Sequence, residues 1–82
     1  MPTLARKIEV DPTIIDVKIE DHLMHVILAD GREVAVPIAW FPRLLEASLK
    51  QRNHGRLIGQ GIGIHWPDID EDISAEGILR MY

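Results

Sequence analysis

Asp30-Gly31 stands between two apolar, strand-forming stretches, and no other feature restricts the fold of this chain so strongly. Leu23 to Ala29 precedes the pair and Arg32 to Ile38 follows it, so the segment reads as a β-hairpin. Register then decides the core. A two-residue Asp30-Gly31 loop would put Met24, Val26 and Leu28 on the face of Glu33, Ala35 and Pro37, splitting the apolar set. A three-residue loop, Ala29-Asp30-Gly31 with Gly31 left-handed in a bulge, puts Met24, Val26 and Leu28 on the face of Val34, Val36 and Ile38. The apolar pattern therefore predicts the bulged turn. It leaves Leu23, His25, Ile27, Glu33, Ala35 and Pro37 on a second, partly apolar face.

A third strand precedes the hairpin. In Ile14 to Glu20, the residues Ile15, Val17 and Ile19 alternate with Asp16, Lys18 and Glu20, which is a half-buried strand, and Asp21-His22 turns the chain into the next one. Pro42 suits the first position of a helix, because its φ is already helical and its missing N–H has no partner there anyway. A main helix is expected from Pro42 to about His54-Gly55. It would place Phe41, Leu44, Leu45 and Leu49 on one face, pair Glu46 with Lys50, and let Ser48 cap a fresh turn. From Leu57 to Trp66 the even positions Ile58, Ile62, Ile64 and Trp66 are apolar, while Gly59, Gly61 and Gly63 fall at odd positions. This predicts a fourth strand with one bare face, ended by Pro67. Ser74 can cap a last helix from Ala75 to Met81, with Ile78 and Leu79 turned inward. The expected order is β-β-β-α-β-α: an α+β fold with a small antiparallel sheet, a three-stranded meander plus a fourth strand, one main helix and a short C-terminal helix.

Composition narrows the class. Eighty-two residues fit a single domain spanning 1–82, with 1–13 as an N-terminal arm, and 46% hydrophobic with 27% charged residues is the balance of a folded chain. The chain has no cysteine, which rules out a disulfide framework or thiolate zinc site, and the cytoplasm is the expected location. No run approaches the ~20 apolar residues of a membrane span. The net charge of -4 argues against nonspecific nucleic-acid binding. The charge is unevenly spread: residues 1–40 carry -3, 41–56 carry +3 and 57–82 carry -4.

The candidate chemical motifs each lack a part. Gly59-Gln60-Gly61-Ile62-Gly63 suggests a phosphate cradle, but Ile64 stands where the third glycine of a dinucleotide fingerprint belongs, and no helix follows. The glycines are better read as letting a ring or backbone approach closely. Asp68-Ile69-Asp70-Glu71-Asp72 opens like a calcium loop, yet Ile73 replaces the turn glycine and Leu79 the bidentate glutamate. A looser metal site of His65, Asp68, Asp70 and Asp72 is the alternative. His65 beside carboxylates could serve as a general base, but no hydroxyl stands in a nucleophile elbow. His22, His25 and His54 read as surface residues. Arg43, Lys50, Arg52 and Arg56 form a basic cluster that suits a solvated face or pairing with the acidic 68–72 loop. The two tryptophans, Trp40 and Trp66, favour core roles over interface anchors.

The string Asp30-Gly31-Arg32, then Val36-Pro37-Ile38-Ala39-Trp40-Phe41-Pro42-Arg43-Leu44, then Gln51-Arg52, then Gly61-Ile62-Gly63-Ile64-His65-Trp66-Pro67-Asp68-Ile69-Asp70-Glu71-Asp72-Ile73-Ser74 resembles a bacterial family catalogued as domain of unknown function 2442. The resemblance covers about residues 14–80. It implies a small α+β protein; some members look fused to a helix-turn-helix, and some look like one half of a toxin and antitoxin pair. No catalytic residues carry over, and this chain offers no segment for an added helix-turn-helix. The expectation is an uncharacterised, non-enzymatic protein-interaction module without a cofactor, an antitoxin-like component of a two-gene pair whose partner is a neighbouring-gene product, with a homo-oligomer as a separate option. The candidate partner-binding residues are Trp40, Arg43, Gly59, Gly61, Gly63, His65 and Trp66. A small metal-dependent enzyme and a nucleic-acid-associated regulator are the second and third readings.

Overall fold

The computed structural model describes residues 10–80. Residues 1–9 of the expected N-terminal arm, and Met81 at the end of the expected last helix, lie outside them. The order is β1 (Ile14–Ile19), β2 (Leu23–Leu28), β3 (Glu33–Pro37), a 3-10 turn (Ile38–Trp40), α1 (Pro42–Leu45), α2 (Leu49–Arg52), β4 (Arg56–Ile58), β5 (Gly63–Trp66), β6 (Glu71–Ser74) and α3 (Ala75–Arg80). Two antiparallel three-stranded sheets result, β1-β2-β3 and β4-β5-β6. Among the described residues no helix is long and apolar enough to cross a membrane.

The hairpin adopts the bulged turn. Val26 lies opposite Val34 and Met24 opposite Val36, and the Leu28 N–H donates to Arg32 O at 2.9 Å, leaving Ala29-Asp30-Gly31 as the loop. Gly31 is left-handed at φ 97°, as this loop requires. Met24, Val26, Leu28, Val34, Val36 and Ile38 are all buried on the shared face. Asp30 locks the turn. Its carboxylate accepts from the Arg32 guanidinium and backbone N–H and from the N–H of Asp11, fastening residue 11 of the arm to the hairpin.

The first strand departs from simple alternation. Ile14 is opposite Leu28 but Asp16 is opposite Ile27, so Ile15 is the extra residue of a bulge. The buried face becomes Ile14, Val17 and Ile19 rather than Ile15, Val17 and Ile19, and Ile15 is left 56% exposed.

The expected main helix is two short ones. α1 stops at Glu46, and Ser48 is extended at φ -71°, ψ 163°. The Ser48 hydroxyl accepts from Gln51 N–H while the Ser48 N–H donates to the Gln51 side chain, a capping box that restarts the helix. The break separates Glu46 from Lys50, so their i,i+4 relation is lost. It also turns Leu45 and Leu49 to solvent while Phe41 and Leu44 stay buried. Arg52 then bridges the break: its guanidinium donates to Leu44 O and Leu45 O at the end of α1 and to Asp21 O in the β1–β2 turn.

The expected fourth strand is two strands. Gly59, Gln60 and Gly61 have φ of 58°, 61° and 100°, so residues 59–62 form a left-handed turn and Ile58 pairs with Gly63. Gly59 and Gly61 therefore do not lie on a strand face. The acidic segment is likewise reshaped. Residues 67–70 turn, with Asp70 at φ 52°, and Glu71–Ser74 pairs with β5 as a strand. The 59–62 turn joins the halves, since Ile14 N–H donates to Gly61 O at 2.8 Å and Ala75 N–H to Ile62 O at 2.9 Å. One apolar cluster results, in which Ile64, Trp66, Ile73, Ala75 and Ile78 pack with Ile14, Met24, Val36, Ile38 and Leu44.

Candidate functional site

Cross-strand register builds the outer face of the second sheet. Arg56 lies opposite His65, and His65 opposite Asp72. The core-facing positions between them, Ile64 and Trp66, are buried, so alternation sends His65 and Asp72 outward. His65 Nδ1 is hydrogen-bonded to the Asp72 carboxylate, and the imidazole is partly exposed. Nearby in sequence, His54 Nδ1 meets Asp68 Oδ2 at 2.8 Å across the 67–70 turn. Arg43 donates to Asp70 O and lies 3.9 Å from the Asp70 carboxylate. The basic middle segment and the acidic segment thus bind each other.

These pairings divide the expected metal ligands. Asp72 belongs to His65, Asp68 to His54, and the Asp70 side chain stands almost fully exposed beside Arg43. Among the described residues, no three histidine or carboxylate side chains are grouped to hold a metal. The His65–Asp72 pair could move a proton, while the Ser48 and Ser74 hydroxyls serve as helix caps.

The expected partner-binding residues separate in the same way. Trp40 is 47% exposed, on the segment that also exposes Leu45 and Leu49. Trp66 is buried, and its indole N–H donates to Arg52 O at 2.9 Å, which is a core role. Gly61 and Gly63 are buried too. A Cβ on Gly61 would lie 2.5 Å from Ile14 O, and one on Gly63 would lie 3.0 Å from Ile73 O. The glycines thus permit close backbone approach within the chain. Gly59 is exposed in the turn.

His25 was expected at the surface, but on β2 it lies between two carboxylates, 2.7 Å from Glu33 Oε2 and 3.2 Å from Glu20 Oε1. Glu20 and then Glu33 favour the imidazolium and raise its pKa above the usual value.

A feature that sequence reading missed is a groove of about 140 Å³ where the edge strands β1 and β4 run side by side. It is lined by Ile15, Asp16, Val17 and Ile19 of β1, by Arg52, Asn53, Gly55, Arg56 and Leu57 from the end of α2 to β4, and by the edges of the buried Ile64 and Trp66 of β5. Nothing local announces it, because β1 and β4 are some forty residues apart in the chain. The exposed Ile15 depends on the β1 bulge, and the β4 edge depends on the 59–62 turn.

The family model for a protein of unknown function, DUF2442, matches residues 14–81. No curated protein matches the chain. A crystal structure of a protein of unknown function from Rhodospirillum rubrum is similar at 27% identity and a TM-score of 0.75, over 84% of this chain and 86% of that one. The solution structure of an uncharacterised protein from Chromobacterium violaceum shares the fold at 23% identity and a TM-score of 0.71, over 83% of this chain and 64% of that one. With the family model spanning β1 through α3, the chain belongs to the DUF2442 family.

Proposed function

We propose that the protein is a non-enzymatic interaction module that docks a protein partner through the helical segment 38–52, as the antitoxin-like member of a two-protein pair. The observation that carries this reading is the exposure of Trp40. Its neighbour Phe41 and the nearby Leu44 enter the core, while Trp40 at 47%, Leu45 at 50% and Leu49 at 59% stay in solvent. Tryptophan is the residue most often found at the energetic centre of an interface, and exposed apolar side chains gathered on one segment suit a partner that removes them from water. Lys50 lies next to Leu49, and the 41–56 segment carries the positive excess, so an acidic partner surface is favoured.

Co-expression of the tagged chain with each product of its neighbouring genes tests the proposal. A stoichiometric complex should form with one of them, and Trp40→Ala with Leu49→Ser should abolish it while the circular dichroism spectrum is unchanged. A complex indifferent to both substitutions, or none with any neighbour, would overturn the reading.

A further inference from the structure

The seam where β1 meets β4 carries its exposed apolar side chains on the rim, not in the groove. β1 and β4 are the end strands of their sheets, so each has one edge with no neighbouring strand in its own sheet. Ile15, the extra residue of the β1 bulge, is 56% exposed, and Leu57 and Ile58 on β4 are 40% and 38% exposed. Ile64 and Trp66 beneath them are fully buried and offer nothing to a partner. None of the three exposed residues belongs to the Trp40 segment.

The two sides of the seam complement each other. Ile15 and Asp16 stand on the β1 side, and Arg56 and Leu57 on the β4 side. The Asp16 carboxylate accepts the N–H of its own neighbour Val17 and meets no cation among the described residues. The Arg56 guanidinium has no ion-pair or hydrogen-bond partner among them either. Each side therefore presents one aliphatic side chain and one unpaired charge, and the two charges are opposite. A two-fold axis through the groove sets the β1 side of one copy against the β4 side of the other and makes every contact twice. Ile15 then meets Leu57 of the second copy, and Asp16 meets its Arg56. The bulge at Ile15 and the lysine at position 18 disfavour a continuous β-ladder between copies, so the contact runs side chain to side chain.

We infer that the β1–β4 seam is a self-association surface, on which a second copy of this chain sits across a two-fold axis with Ile15 against Leu57 and Asp16 against Arg56. The polar groove stays hydrated between the copies, and few apolar side chains take part, so the dimer belongs with the small, weak interfaces below about 1,200 Å². The surface is independent of the docking surface at Trp40, so either can fail without the other.

Sedimentation equilibrium of the full chain tests the proposal and should show a monomer–dimer equilibrium with a Kd of about 1 mM or tighter. Asp16→Arg and Arg56→Asp, both at exposed side chains, should each weaken the dimer at least about tenfold, or roughly 1.4 kcal/mol, because each creates two like-charge contacts across the axis. Mixed in equal amounts, the two variants should dimerise again, since each supplies the charge that the other has lost. Leu57→Ser should also weaken the parent dimer, and Trp40→Ala should leave it unchanged. Circular dichroism checks the fold of each variant, and the milder Asp16→Asn and Arg56→Gln should weaken the dimer in the same direction. A monomer at every concentration up to about 1 mM, a dimer indifferent to these substitutions, or charge variants that stay apart when mixed would overturn the proposal. So would a dimer that Trp40→Ala dissolves, since the second copy would then occupy the helical segment.

Discussion

The indole of Trp66 lies against the bare Cα of Gly55: a Cβ at position 55 would stand 2.5 Å from Trp66 Nε1 and 2.7 Å from Cε2. The contact sits where α2 hands over to β4, and the same indole N–H donates to Arg52 O. A rigid ring with both a packing and a hydrogen-bonding commitment has little freedom to yield. Gly55→Ala is therefore expected to destabilise the fold by about 1–3 kcal/mol, the range for overpacking a core. Urea unfolding followed by tryptophan emission measures it, and an unchanged midpoint would mean the ring moves aside freely.

Gly31 and Gly61 are both left-handed, at φ 97° and 100°, but their surroundings differ. A Cβ at Gly31 would meet nothing within 4 Å, whereas one at Gly61 would lie 2.5 Å from both Ile14 O and Thr13 Cγ2. Gly31→Ala should cost about 1–2 kcal/mol, the strain of a left-handed alanine alone. Gly61→Ala should cost distinctly more, because the 59–62 turn must also retreat from β1 and weaken the bond from Ile14 N–H to Gly61 O. Chemical denaturation of both variants under one set of conditions gives the order.

Leu44 and Leu45 are adjacent and chemically identical, yet Leu44 is fully buried and Leu45 is half exposed. Leu44→Ala should lower stability by about 2–5 kcal/mol and Leu45→Ala by about 0.5 kcal/mol. Comparable losses would show that α1 is rotated from the orientation described here.

Two groups set opposite arms of the pH profile. Glu20 and Glu33 raise the His25 pKa above 6.5 in the folded chain, so folding gains from the protonated imidazole. That gain is complete below about pH 6.5, the unfolded value, and is lost as pH rises through the folded pKa. The Arg32 guanidinium, with backbone N–H groups of Arg32 and Asp11, pulls the Asp30 carboxyl from 3.8 down to about 2 despite the opposing effect of burial. Its contribution is present above pH 3.8 and is lost as pH falls toward 2. Denaturation midpoints against pH should show His25→Gln flattening the neutral-to-alkaline arm and Asp30→Asn reducing the acid arm. Profiles that coincide with the parent chain would contradict both assignments.

Local order and side-chain pattern made part of this protein legible. The Asp30-Gly31 signal and the buried set from Met24 to Ile38 specified the hairpin and its bulge, because a one-residue slip would have moved every apolar side chain to the wrong face. Ser48 and Ser74 announced the starts of α2 and α3, since a capping hydroxyl acts on N–H groups within three residues of itself. The resemblance to the family also rested on residues close together in the chain. At the candidate sites the residue types were visible but their partners were not: His65 and Asp68 looked like ligands of one site until β5–β6 register gave His65 to Asp72 and the 67–70 turn gave Asp68 to His54.

Only the tertiary structure decided the rest. Even spacing made residues 57–66 look like one strand, but Gly59, Gln60 and Gly61 turn left-handed because Gly61 must seat its backbone on Ile14, a contact 47 positions away in the chain. Ile15 looked buried until the bulge against β2 put Ile14 in its place, and Leu45 and Leu49 looked buried until Ser48 ended the helix between them. The hairpin follows from alternation along a few consecutive residues, which the sequence carries in full. The two-sheet arrangement, the buried Trp66 beside the exposed Trp40, and the groove between β1 and β4 arise from long-range packing, where the core selects among local conformations of nearly equal energy.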